Sequence, residues 1–298
     1  MANSERKLNV EIEKNIATLQ DMIKEFKLKK DIFRILFRGK GLEFDGYRSF
    51  SPDDNAEDID WKASSRTQSL IVKRYKEERD LKIMFLIDVG TSMVFGSTDK
   101  IKCEYTAELS SALANLIITA NDRIGFLFFS DKITNFVGFK GGFKHFNLFV
   151  DLVTRGENYG GNTNLNKALD FATEYLDSSV MSTIIISDFL SVNNETEKKI
   201  NLLASRFEVI ALRVRDPLDL TLPDIEGEII LEDPATLDQT IINPKVASKS
   251  YQEYAKIQSE MVEKIFKKLG IDFLDFITSE PFALPLALFL KERIDKKF

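Results

Sequence analysis

The chain has 298 residues, 44% hydrophobic and 30% charged, enough to bury a substantial core as one large domain or two small ones and too apolar for wholesale disorder. Its 47 acidic residues against 41 basic ones give a formal charge of −6, which argues against a general nucleic-acid binder. The single cysteine, Cys103, excludes an internal disulfide, and the single histidine, His145, has no neighbouring cysteine with which to hold zinc.

In chain order, the opening segment MANSERKLNVEIEK has no uninterrupted apolar run, so no secretory signal is expected. Residues 5–27 read as an amphipathic helix, with Leu8, Ile12, Ile16, Leu19, Ile23 and Phe26 on one face, docked on the domain. Between Arg38 and Arg79, Gly39, Gly41 and Gly46 punctuate short segments. Glu43–Phe50 is one such segment and Leu70–Tyr75 alternates like a half-exposed strand, with an acidic turn from Pro52 to Asp58 between them. Asp60, Trp61 and Arg66 suggest a local ion pair beneath an indole, in a region that packs on the main sheet.

After Leu81 the pattern turns to alternating strands and helices. Strands are expected at Lys82–Asp88, Arg123–Ser130, Ser182–Asp188 and Phe207–Val214, and helices at Ile101–Asn121, Gly142–Leu152, Asn164–Leu176, Thr196–Ala204 and Ala247–Leu269. Lys132–Val137 adds an antiparallel edge strand. A last strand near Ile271–Ile277 and a helix from Pro281 that closes the core complete the outline. The apolar run 282–290 is too short to span a bilayer and contains Pro285, so no stable membrane insertion is expected. Strands as uniformly apolar as 83–87 and 124–129 are buried on both faces. The fold class is therefore α/β, a doubly wound and mostly parallel sheet with helices on both faces and an N-terminal helical/β extension. The change of character near Leu81 divides residues 1–80, an extension packing on the main domain, from residues 81–298.

Ligands of open α/β sheets gather at the carboxyl ends of the strands, where the strand order reverses. Asp88 and Asp188 each end a strand, Ser92 follows Asp88 by four residues, and Thr163 follows the pair Gly160-Gly161, which permits a tight turn. In an extended loop, residues 88, 90 and 92 face the crevice and Thr91 faces away. Two carboxylates and two hydroxyls make an all-oxygen donor set that suits Mg²⁺ or Mn²⁺. Each residue alone reads more readily as a helix cap, and a metal-free loop kept for its shape stays open as an alternative. Together, Asp88, Ser92, Thr163 and Asp188 resemble the metal-ion-dependent adhesion site of von Willebrand factor A domains, Asp-x-Ser-x-Ser, then Thr, then Asp. Gly90 stands where that pattern has serine, which removes one hydroxyl and leaves room for a water.

A second resemblance covers residues 38–235. Gly39-Lys40-Gly41-Leu42-Glu43-Phe44, Tyr47-Arg48-Ser49-Phe50, Ile59-Asp60-Trp61, Ser64-Ser65-Arg66 and Leu70–Glu78 are similar to the signature of family 58 of the domains of unknown function. Asp216-Pro217, Leu222-Pro223 and Asp233-Pro234 fit that family's tail, while the acidic turn departs from its usual basic residue and glycine. The resemblance implies a bacterial, von Willebrand factor A-like protein that works beside a MoxR-type AAA+ ATPase as a chaperone-like pair on a client protein, and the expected location, from the lone cysteine and the opening segment, is cytoplasmic. In that picture an acidic side chain of the partner completes the coordination of the cation. The implied role is binding and not catalysis. A haloacid-dehalogenase-type phosphotransferase would need an acid at position 90, which is Gly90, and the chain has no phosphate-cradling G-x-x-x-x-G-K-[ST] and no Ser/His/Asp set. A Mg-dependent phosphohydrolase is thus the weaker alternative, beside a metal-independent interaction protein.

Overall fold

The computed structural model describes residues 7–26, 42–51, 59–77, 80–232 and 238–295. The acidic turn 52–58 and the glycines at 39 and 41 lie outside them. The first helix, α1 (Ile12–Glu25), starts later than the periodicity suggests, because Lys7 is held in an antiparallel bridge with Arg155 and Leu8 donates its N–H to the Thr154 carbonyl. Its apolar face is the expected one, with Leu19 and Ile23 buried and Leu8, Ile16 and Phe26 packed against the core.

The strands β1 (Leu42–Ser49) and β2 (Ile71–Glu77) pair antiparallel in a two-stranded sheet of their own. Between them lies a short helix that the sequence reading missed, α2 (Trp61–Thr67). Asp60 caps it, accepting from Lys62 N at 3.1 Å and Ala63 N at 3.0 Å, and Trp61 stands 67% exposed.

The main domain follows as β3 (Lys82–Asp88), α3 (Lys102–Thr119), β4 (Arg123–Phe129), β5 (Ile133–Lys140), α4 (Phe143–Val153), α5 (Leu165–Tyr175), β6 (Ser182–Ser187), α6 (Asn194–Arg206) and β7 (Glu208–Arg215). After β7 come the short strands β8 (Ile229–Glu232) and β9 (Gln239–Ile242), paired antiparallel, then α7 (Pro244–Lys268), β10 (Asp272–Ile277) and α8 (Ala283–Asp295). The six-stranded sheet has the order β10-β7-β6-β3-β4-β5, parallel throughout except for β5 at the edge. This is the doubly wound, mostly parallel α/β architecture expected from the strand pattern. The β8–β9 pair, whose strands are four residues each, was not foreseen.

Two cores lie on either side of the sheet, separated by the two-residue period of the strands. Ile83, Phe85 and Ile87 of β3 face α1, α3, α4 and α8, whereas Met84 and Leu86 face α5, α6 and α7. Helix α3 is buried nearly all round between the sheet and α1, which suits its near-continuous apolar and small residues. The final helix closes its core through Leu286, Ala287 and Leu290, as the sequence suggests. Among the described residues no helix is long and apolar enough to cross a membrane.

Strand order reverses between β3 and β6: the chain leaves β3 toward β4 on one side and returns to β6 on the other. A crevice opens at the carboxyl ends of these two strands. Asp88 is the last residue of β3 and Asp188 directly follows β6.

Candidate functional site

Asp88 is fully buried at the base of this crevice. Its Oδ1 accepts from Gly90 N at 2.9 Å and from Thr163 Oγ1 at 3.0 Å, and its Oδ2 accepts from Ser187 Oγ at 2.7 Å. Burial and the neighbouring charge of Asp188 push its carboxyl up to about 7, against the pull of those three hydrogen bonds. Ser92 Oγ lies 3.4 Å from Thr163 Oγ1. Three of the four residues singled out from the sequence thus meet in a chain of close oxygens, Asp88–Thr163–Ser92. None of the three caps a regular helix; Asn164 and Asn193 cap α5 and α6.

The backbone explains how segments so distant in sequence meet. Gly160 donates its N–H to the Val89 carbonyl at 2.7 Å, and Gly161 O receives both the N–H of Thr91 at 2.8 Å and its hydroxyl at 3.2 Å. Both glycines have positive φ, +149° and +78°, which side chains disfavour. The loop after Asp88 is extended only as far as Gly90, and residues 91–94 form a 3-10 turn. The alternation expected there therefore breaks, and Thr91 lines the crevice instead of facing away. At Gly90 a Cβ would lie 2.1 Å from Thr163 Oγ1. The space beside Gly90, reserved for a water in the sequence reading, is filled by the hydroxyl of Thr163.

Asp188 reaches the same crevice in different company. Its Oδ1 accepts from Leu190 N at 3.1 Å, and its Oδ2 lies 3.0 Å from the ammonium of Lys102, the first residue of α3. That ammonium also lies 3.0 Å from Asp219 Oδ2, and the Lys102 side chain is 1% exposed. Burial opposes its charge, but Asp188 and Asp219 outweigh burial and hold the Lys102 pKa above its ordinary value. Asp219 is set in turn by Asp216, whose N–H it accepts at 2.8 Å. The fully buried Asp216 carboxylate accepts from Ser97 N at 2.7 Å, Ser97 Oγ at 2.5 Å, Leu218 N at 2.9 Å and Thr278 Oγ1 at 3.2 Å. It ties the loop before α3 to the turn after β7 and to the end of β10.

Lys102, Ser187 and Asp219 were not singled out from the sequence, and Asp216 was noted only as part of the family's tail. Asp216 was legible, since Asp followed by Pro is a capping signature. Lys102 carries only a weak signal, a lysine at a helix start, where the macrodipole disfavours a cation.

Ser92, Thr163, Asp188, Lys102 and Asp219 line one cavity of about 880 Å³, whose far wall is the β8–β9 pair and Tyr251 of α7. Among the described residues of that lining, Asp188, Asp219, Glu232 and Asp238 oppose the single ammonium of Lys102, an acidic balance. Among the described residues no three His, Cys, Asp or Glu side chains gather so as to hold a metal ion. A cation here would depend on hydroxyls. Octahedral Mg²⁺ with oxygens at about 2.1 Å places neighbouring ligands about 3.0 Å apart. The 3.0 Å between Thr163 and Asp88 matches such an edge, and the 3.4 Å between Ser92 and Thr163 would need a small closure to reach it. One carboxylate and two hydroxyls, with waters completing the shell, therefore fit a hard divalent cation. Asp188 fits less well, because one of its oxygens already pairs with the Lys102 ammonium, whereas the donors to Asp88 are all uncharged.

Residues 46–261 match the family described as Protein of unknown function DUF58. The uncharacterized protein Rv1480 of Mycobacterium tuberculosis is 27% identical over 200 residues, which cover 66% of this chain and 62% of that protein. The chain thus spans 62% of the length of this curated relative. Among solved structures, BatB from Bacteroides thetaiotaomicron aligns over 72% of this chain and 99% of its own, at 13% identity and a TM-score of 0.48. The VWA domain of SpRpn10 aligns over 46% of this chain and 76% of its own, at 12% identity and a TM-score of 0.34.

Proposed function

The chain belongs to the DUF58 family of proteins of unknown function, and from that premise we propose that it is a protein-binding module whose crevice at Asp88 engages a partner through a divalent cation. Asp88, Ser92 and Thr163 would hold Mg²⁺ or Mn²⁺, with Asp188 beside them. The cation supplies positive charge to a cavity that is otherwise acidic, so that a carboxylate of the partner can enter it. The observation that carries this reading is the buried Asp88 carboxylate: three donors surround it, none of them charged.

The partner proposed, on the family resemblance alone, is a MoxR-type AAA+ ATPase in the cytoplasm that would work with this chain on a client protein. Binding is favoured over catalysis by position 90, where a phosphotransferase of the haloacid dehalogenase type would need an acid and this chain has Gly90.

The test is an affinity measurement between the purified chain and a purified MoxR-type ATPase from the same organism, in Mg²⁺ and in EDTA. Binding lost in EDTA, and lost in Mg²⁺ when Asp88→Ala is introduced, supports the reading. Equal affinity under all conditions refutes it. A second reading, metal-independent binding at the same crevice, is favoured by one observation, the Lys102 ammonium already placed against Asp188. It predicts the same affinity with and without chelator.

A further inference from the structure

Lys102 is the one cationic side chain among the described residues that line the cavity, and neither the adhesion-site pattern nor the family signature accounts for it. Its side chain is 1% exposed, and its ammonium bridges Asp188 and Asp219 at 3.0 Å each, with the Phe95 ring 5.8 Å away. A lysine at the first position of a helix faces the positive end of the macrodipole, so the helix does not hold the charge there. The two carboxylates do. A buried ammonium persists when its pairing outweighs the cost of desolvation, and here two partners share that work.

The neutralisation of the crevice is therefore divided. Asp188 and Asp219 have Lys102, while Asp88 has uncharged donors alone. An ammonium and a divalent cation repel each other strongly at short range, and both seek the oxygens of Asp188. We propose that Lys102 is the residue that sets the cation affinity of this crevice, an internal counter-ion that holds Asp188 away from the metal. In that arrangement a divalent cation is coordinated by Asp88, Ser92 and Thr163 alone. This rests on the cation reading given above and deepens it, since a site with one carboxylate binds weakly and exchanges readily. Asp188, one of the four ligands named from the sequence, then serves as the seat of Lys102.

The test uses Mn²⁺ alone, titrated calorimetrically into the full chain. Lys102→Met by itself leaves two buried carboxylates facing each other and risks misfolding. The variant Lys102→Met/Asp219→Asn removes one positive and one negative charge together, so the local balance is kept and Asp188 is released. Thermal melts establish that it folds. Its Mn²⁺ affinity should rise about tenfold or more over the parent. Adding Asp188→Asn should abolish that gain, which a general loosening of the fold would not produce.

A double variant that binds Mn²⁺ no more tightly than a parent that does bind overturns the role of Lys102 and leaves the cation reading standing. A gain that persists in the triple variant overturns it as well. Absence of Mn²⁺ binding in the parent and in every variant overturns the cation reading and this inference together.

Discussion

Replacing Gly90 by serine puts back the residue that the adhesion-site pattern has at this position, yet the geometry predicts damage. Gly90 has φ −65° and ψ 166°, a conformation open to any residue, so the backbone raises no objection. Shortening the list of unfolded conformations would even stabilise the variant by about 0.4–1 kcal/mol. Against that, the new Cβ lies 2.1 Å from Thr163 Oγ1, 3.1 Å from Thr163 N and 3.1 Å from Asp88 Oδ1. Thr163 must move, giving up its 3.0 Å hydrogen bond to Asp88 and its approach to Ser92. A hydrogen bond to a charged group is worth about 1.5–3 kcal/mol, and overpacking a filled site costs about 1–3 kcal/mol. The net expectation is a loss of about 2–5 kcal/mol in urea unfolding, with weaker Mn²⁺ binding. Thr163→Ala removes the obstacle. Gly90→Ser should therefore cost much less in that background, a coupling of about 1 kcal/mol or more. Gly90→Ser within about 0.5 kcal/mol of the parent in both backgrounds would show that the Thr163 hydroxyl does not occupy the space argued for it.

Stability should also depend on pH through Asp88, whose folded pKa lies at about 7, well above the unfolded carboxylate range. Between those two values the folded state holds a proton that the unfolded state lacks, so stability falls as pH rises from 4 to 7, by about 1.4 kcal/mol per unit at most. Urea melts in EDTA at pH 5 and pH 8 should differ accordingly, and Asp88→Asn should flatten the difference; an unchanged slope in the variant would refute the assignment. Asp216→Ala leaves Ser97, Leu218 and Thr278 without their shared acceptor and should cost about 3 kcal/mol, read by thermal unfolding. Leu19→Ala, on a fully buried side chain of α1, should cost about 2–5 kcal/mol; a negligible effect would mean that the N-terminal helix is not docked.

The fold was legible wherever burial imposes a period. The strands of the main sheet carry apolar runs because both their faces are covered, and the helices between them carry the 3.6-residue period of one buried face. What escaped notice lacked such a constraint. Helix α2 is seven residues long with only Ser64 buried, too short and too polar to show a face. In β8 and β9 the exposed side chains Ile230 and Ile241 pair across the strands, so apolar residues there do not mark an interior. In the crevice, the sequence pointed to Asp88, Ser92, Thr163 and Asp188 because strand ends and a recognised spacing converge on them. It did not point to Lys102 or Asp219, since their meeting depends on a turn after β7 that Asp216 fixes through contacts with two distant segments. Nor could it show that Thr163 fills the space left by Gly90, a matter of ångströms that spacing does not encode.

The most direct measurement is a calorimetric titration of Mn²⁺ into the parent chain and into Thr163→Val, which keeps the shape of the side chain and removes its hydroxyl. The account predicts a single site in the parent, with affinity lowered about tenfold or more in the variant, which still folds but unfolds at a lower temperature because Asp88 loses the Thr163 hydrogen bond. Identical titrations of the two proteins, or no heat of binding from the parent, would contradict it.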